Sequence, residues 1–275
     1  MKKILFALII VFMLGGCAGK DTVENSKVQD KKTSKPTAEA TLEPAAEPEK
    51  TPIAPEKVSS VADKVIVVDA GHGISSYNKQ EPIAPNSSET KIAFASGTRG
   101  INQTEEQLNL SVALKLQKAL LDKGATVHMT RTENKTDMTN IDRAEFANDV
   151  NADISVKIHA DGSNDSSVHG TSVLVPGNRY ITDNAVIGQS KLAGEFILEE
   201  FVKETGAVNM GISVRNDLTG FNWTKVPIVL IEVGFMTNPE EDRKMETNEY
   251  RDKMVRGIVS GLEKYFESRS GGNYE

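Results

Sequence analysis

The chain has 275 residues, of which 38% are hydrophobic and 26% charged, a balance that fits a soluble globular core with extensions. Its formal net charge of -7 argues against a protein that grips a nucleic-acid backbone, which needs a basic face. A single cysteine, Cys17, excludes a disulfide framework and a cysteine-rich structural zinc site.

The N-terminal segment reads as a targeting signal and not as fold. Lys2 and Lys3 precede an apolar run over 4–14, too short for a stable membrane span, followed by Gly15, Gly16 and Cys17. "LGGC" also resembles a bacterial lipobox, in which the chain is cut before a cysteine that then carries lipid. Residues 1–17 are therefore predicted to be a lipoprotein-type signal peptide with Cys17 as the lipidated residue. Residues 18–63 are rich in Lys, Glu, Thr, Ala and Pro and have no apolar periodicity, so they are predicted to form a disordered tether. The folded domain is predicted over 64–268, with a short tail at 269–275.

Within that domain, apolar runs alternate with helical patterns. Strands are predicted over 65–69 ("VIVVD"), 125–131, 153–159 ("DISVKIH"), 170–176 and 226–234 ("VPIVLIEVG"). Helices are predicted over 104–124, 140–150, 186–205 and 249–266, and a further one starts at "NPEED", with Asn238 as cap and Pro239 at its first position. Alternation of this kind implies an α/β fold: one domain with a mostly parallel twisted sheet and helices on both faces. Ligands in such sheets bind beyond the carboxyl ends of the strands.

Three chemically notable residues sit at or just past such ends: His72 in "DAGHG", His159 in "VKIHADG" and Glu232 in "LIEVG". A fourth comes from the helix that starts at Thr104, where Thr104 and Gln107 fit a capping box. At 100° per residue, Leu108, Val112, Leu116 and Leu120 form an apolar stripe, and Glu105 projects onto its middle. Glu106 falls at its edge and stays open as an alternative. A carboxylate aimed at a core needs a partner, either a metal ion or the helix dipole. Two histidines and one glutamate with an open fourth position make a catalytic zinc set. Glu232, a carboxylate on an otherwise apolar strand, suits a general base beside it. His128 and His169 read as packing or surface histidines. Trp223 and Phe221 fit either core packing or stacking on a sugar, and Arg215 and Asn216 are candidates to meet a polar substrate group.

Four segments in this order, "VVDAGHG", "EEQLNLSVALKLQKALLDKGATVHMTR", "NIDRAEFANDVNADISVKIHADG" and "VPIVLIEVGFMTNPEED", resemble the zinc-dependent N-acetylmuramoyl-L-alanine amidases, bacterial cell-wall hydrolases. The resemblance covers about residues 64–265. It implies one catalytic Zn2+ held by His72, Glu105 and His159, with Glu232 as the catalytic residue. It also implies hydrolysis of the amide between the lactyl group of N-acetylmuramic acid and L-alanine of peptidoglycan. The expected setting is extracytoplasmic, with the chain a monomer anchored to a membrane through Cys17 and facing the wall. No nucleic-acid partner is expected. Other readings are a zinc peptidase acting on another wall peptide, though no "HExxH" helix is present, and a non-catalytic wall-binding or regulatory module. The segment over 73–103 looks longer than the family's usual loop and receives no residue-level role.

Overall fold

The structure, a computed structural model, describes residues 58–270; the predicted signal, Cys17, most of the predicted tether and residues 271–275 lie outside that range. Six strands form one mixed sheet: β1 (Val65–Ala70), β4 (Thr126–Met129), β5 (Ile154–Asp161), β6 (Thr171–Pro176), β7 (Asn209–Arg215) and β8 (Ile228–Phe235). Their spatial order is β4-β1-β5-β8-β6-β7, and every neighbouring pair is parallel except β6 with β8. The mostly parallel sheet predicted from the sequence is thus present. The antiparallel pair has a simple origin. The β5–β6 connection (162–170) is shorter than the dozen or so residues a parallel crossover needs. Strand β7 is not among the predicted strands. It lies at the sheet edge, with Met210 and Val214 exposed and Gly211 at φ 89, so it shows no buried stripe to read.

Helices α1 (Glu105–Asp122), α3 (Asn184–Thr205) and α6 (Asn248–Ser270) cover one face, while α2 (Asn140–Asp149) and the short α4 (Thr219–Asn222) lie on the other. Strand β1 shows how both faces are filled. Ile66, Val68 and Ala70 enter the large core with Leu108, Val112, Leu116 and Leu120 of α1, while Val67 packs with Ala147 of α2. Helix α1 starts where the pattern predicts, and the Gln107 side chain accepts the Thr104 N–H at 3.0 Å. Asn238 caps α5 (Pro239–Glu246) by accepting from the N–H groups of Glu240 and Glu241 at 3.0 and 3.1 Å. The packed region begins slightly before residue 64. Val61 is fully buried in the large core, and Ser60 Oγ donates to the Glu263 carbonyl at 2.8 Å.

Residues 73–103 form a strap over the carboxyl ends of β1 and β5. It contains a two-stranded antiparallel ribbon, β2 (Gln80–Pro82) with β3 (Thr90–Ile92). Buried Glu81 fastens the ribbon to the start of α2, accepting from Asn140 Nδ2 at 2.6 Å and Ile141 N–H at 3.2 Å. On the other side, Trp223 Nε1 donates to Pro82 O at 3.1 Å and Asn222 Nδ2 to Ile83 O at 3.0 Å. Trp223 therefore ties down the strap, and Phe221 is buried with Leu174, Ile228 and Leu230.

Candidate metal and catalytic site

Strand β1 ends in a turn that no ordinary sequence could make. Gly71 packs against the imidazole of His159, and a Cβ there would lie 2.2 Å from His159 Nε2. His72 has φ 58, a left-handed conformation that an L-residue adopts at a steric penalty of about 1 kcal/mol or more. Two bonds hold it there: Arg143 Nη2 donates to the His72 carbonyl at 2.7 Å, and His72 Nδ1 meets the Ala95 carbonyl of the strap at 2.8 Å. The glycine–histidine–glycine sequence is thus the condition for turning one imidazole back over the strand end while another slides beneath it.

Parallel pairing of β1 with β5 sets His159 beside this turn, and Glu105 enters from the first turn of α1. Glu105 Oε1 lies 3.1 Å from His72 Nε2 and 3.0 Å from His159 Nδ1, and the two imidazole centroids are 4.7 Å apart. Among the described residues these three are the group of ligand-type side chains whose donor atoms all lie within 4.8 Å of one another. Donors about 2.0–2.1 Å from a tetrahedral metal ion lie about 3.3 Å apart, close to the 3.1 and 3.0 Å from Glu105 Oε1 to the two histidines. The protonation pattern fits as well. A carbonyl only accepts, so His72 Nδ1 carries the hydrogen that bonds Ala95. In the neutral ring this leaves the Nε2 lone pair facing a carboxylate oxygen, an arrangement that calls for a cation between them.

Glu105 is 3% exposed, whereas Glu106 is half-buried and contributes its backbone carbonyl to Arg131. Burial alone would raise the Glu105 carboxyl, but the imidazoles of His159 and His72 beside it hold it well below the ordinary carboxylate range. Its oxygens also accept from Thr98 N–H at 2.8 Å, Asn109 Nδ2 at 3.2 Å and Ala160 N–H at 3.2 Å. Gly97 allows the strap this close, since a Cβ there would sit 2.4 Å from Glu105 Oε2.

Glu232 is the register partner of His159 across the β5–β8 pair and lines a polar recess with His72, Glu105, His159 and Asp161. Its Oε2 is buried and has no hydrogen-bond partner among the described residues. Such a group is expensive to leave unsatisfied unless a ligand or water meets it. Burial, then the charges of Glu105 and Asp161, push the Glu232 carboxyl well above the usual range, and Arg215 pulls it partly back. A carboxyl held high takes up a proton readily and is suited to passing it on.

The other sequence candidates are not part of this ligand-type cluster. His128 sits edge-on to Phe146 at 6.1 Å, and His169 is exposed with Nδ1 on the Ser167 carbonyl. Arg215 is paired with Asp217, and Asn216 Oδ1 accepts the Arg179 N–H. A supporting cluster went unnoticed in the sequence. Buried Asp69 accepts from Thr130 Oγ1 at 2.7 Å and pairs with Arg143 and Lys157. Arg131 joins it, donating to the carbonyls of Ala70, Gly71 and Glu106 at 2.8 Å each. The available signal was charge inside apolar runs: Asp in "VIVVDA" and Lys in "DISVKIH".

Comparison with known proteins gives the chain's family. The family model described as N-acetylmuramoyl-L-alanine amidase matches residues 66–264. The probable cell wall amidase LytH of Staphylococcus aureus is 30% identical over 205 residues, covering 74% of this chain and 59% of that protein. An uncharacterized cell wall amidase of Bacillus anthracis is 26% identical over 211 residues, covering 74% of this chain and 36% of that protein. The aligned part thus spans less than two thirds of either relative. The crystal structure of the N-acetylmuramyl-L-alanine amidase Ami1 from Mycobacterium smegmatis superposes with a TM-score of 0.70 at 26% identity, covering 76% of this chain and 100% of that one. Ami1 from Mycobacterium abscessus gives 0.67 at 30% identity, covering 74% and 99%. With most of the chain matched in sequence and in fold, this protein belongs to the N-acetylmuramoyl-L-alanine amidase family.

Proposed function

We propose that this chain hydrolyses the amide between the lactyl group of N-acetylmuramic acid and L-alanine of the peptidoglycan stem peptide. In this reading His72, Glu105 and His159 hold one Zn2+, the ion suited to two histidines and a carboxylate with an open position. When bound, that ion supplies Lewis acidity toward the scissile carbonyl and makes water a stronger nucleophile at neutral pH. Glu232 takes the proton of the attacking water on its carboxylate as the new C–O bond forms. It returns that proton to the amide nitrogen as the C–N bond breaks, leaving the lactyl carboxylate and a free alanine amine. Ala95 O and Thr98 N–H orient His72 and Glu105. The observation that carries this reading is the buried, unpartnered Glu232 Oε2 opening on the same recess as the three ligand-type side chains.

In the same proposal, residues 1–17 direct export, Cys17 carries the lipid anchor, and the tether from residue 18 to the packed region gives the domain reach toward the wall. No helix among the described residues is long and apolar enough to cross a membrane.

The test is to incubate the protein with purified peptidoglycan, with and without a chelator, and to identify the new termini. Free L-alanine amines on an intact glycan are expected, lost with the chelator and regained with Zn2+. New reducing ends, or amines from deeper in the peptide, would overturn the assignment.

A further inference from the structure

The imidazoles of His72 and His159 separate two hollows of opposite chemistry. The polar recess on one side carries three carboxylates, those of Glu105, Asp161 and Glu232. The groove on the other side, about 430 Å³, has apolar walls that include Ile92, Ala95, Leu218, Phe221 and Leu230. Ile92 comes from the strap, is 45% exposed and is free to meet a ligand.

The charges at the groove decide what it prefers. Among its lining residues the one acid is Asp217, and Arg215 takes both of that carboxylate's oxygens, at 2.7 Å each. Lys157 is held beneath the groove by buried Asp69. This leaves Lys91, on β3 at the rim. Its ammonium donates to the Asp217 backbone carbonyl and stays 3.7 Å from the carboxylate that Arg215 already occupies. The Lys91 side chain is 41% exposed, and an ammonium has three donors, so it retains hydrogens for an incoming anion.

In the substrate proposed above, on which this inference rests, the lactyl carboxyl is consumed in the scissile amide. The remaining carboxylates belong to the peptide. The recess has no lysine or arginine among its lining residues to meet such groups, whereas the groove offers an apolar wall and an ammonium with hydrogens to spare. We propose that the groove receives the peptide side of the scissile bond, with aliphatic carbons along its apolar wall. We propose further that Lys91 is a specificity-determining residue, pairing with the carboxylate of the residue that follows alanine.

The experiment compares N-acetylmuramoyl-L-alanyl-D-glutamate with its α-carboxamide, N-acetylmuramoyl-L-alanyl-D-isoglutamine, each with the γ-carboxyl blocked as its methylamide, as substrates of wild type, Lys91→Met and Lys91→Arg. Binding of the corresponding free dipeptides is measured alongside. Wild type is expected to favour the acid over the amide by about fivefold in kcat/KM, the value of a partly exposed ion pair, with the preference shrinking as salt is added. Lys91→Met should bring the ratio near one, and Lys91→Arg should keep it. Equal use of acid and amide by wild type, or an unchanged ratio in Lys91→Met, overturns the inference. Failure to cleave either compound overturns the reaction assignment alone. Dipeptide binding then decides, and an acid preference absent from wild type or intact in Lys91→Met counts against Lys91. If Lys91→Met weakens N-acetylglucosamine oligomers and leaves the dipeptides unaffected, the groove holds glycan and the inference falls.

Discussion

Replacing Asp69 with asparagine tests whether the ionic cluster beneath the site holds the fold together. Asp69 is 1% exposed, with Arg143 and Lys157 both against its carboxylate. The substituted side chain would have nearly the same shape and would still accept from Thr130, but both cations would face a neutral amide. Removing one partner of a buried ion pair costs about 3–5 kcal/mol, because a charge is left without compensation. For a domain of this size that corresponds to a fall of about 6–20 °C in Tm. The sign of the pH dependence follows from the same contacts. Burial alone would raise the Asp69 carboxyl, but Arg143 and Lys157 hold it far below the ordinary range. Its contribution is therefore complete above the unfolded value of about 4 and is lost progressively as the pH falls below it. Urea unfolding of metal-free wild type and Asp69→Asn at pH 7 and pH 3 measures both effects, without stabilisation from a bound ion. The gap should be largest at pH 7 and clearly narrower at pH 3. A gap under about 1 kcal/mol at pH 7, or one that does not change with acid, would refute the reasoning.

Gly71→Ala should lose metal affinity, because the new Cβ would stand 2.2 Å from the His159 ring; titration against a chromogenic chelator reads this directly. His159→Ala and Glu105→Gln should both lose the ion, while Glu106→Gln should keep it; metal analysis of the purified proteins checks the set. Glu232→Gln should retain the ion yet lose about 10²–10⁴ in turnover, the range for removing a general acid–base, and a fully active Glu232→Gln would end that assignment. Cys17→Ser should abolish lipid incorporation and membrane partitioning; equal membrane association of the variant, with its signal cut normally, argues against the anchor.

The parts of this molecule that could be read from sequence are those where one physical demand dominates. Strands β1 and β8 are buried on both faces, so they appear as short apolar runs, "VIVV" and "IVLI", followed closely by His72 and Glu232. Glu105 is legible because helical phase turns it inward, and the structure separates it from Glu106 by burial. Less visible is anything set by tertiary partners. The β2–β3 ribbon has three residues in each strand and is fixed by Glu81, Asn222 and Trp223, all distant in sequence from the groups they bond. The reversal of β6 lies in a loop length, a feature that alternation of helices and strands does not record. Asp69 and Lys157 announced their burial only as charges in apolar runs, and their pairing required knowing that β1 and β5 are neighbours.

The strap's two backbone contacts with His72 and Glu105, the proposed ligands, have a reciprocal side. Ala95 O braces His72 and Thr98 N–H braces Glu105, so whatever free energy the ordered strap lends to an ion, the ion must return to the strap. Occupancy at the bottom of the cleft thereby becomes a mechanical property of the molecule's exterior. Amide exchange and protease cutting across residues 73–103 should slow on loading and quicken on chelation. A half-loaded preparation should then behave as two populations with different lifetimes toward the same protease.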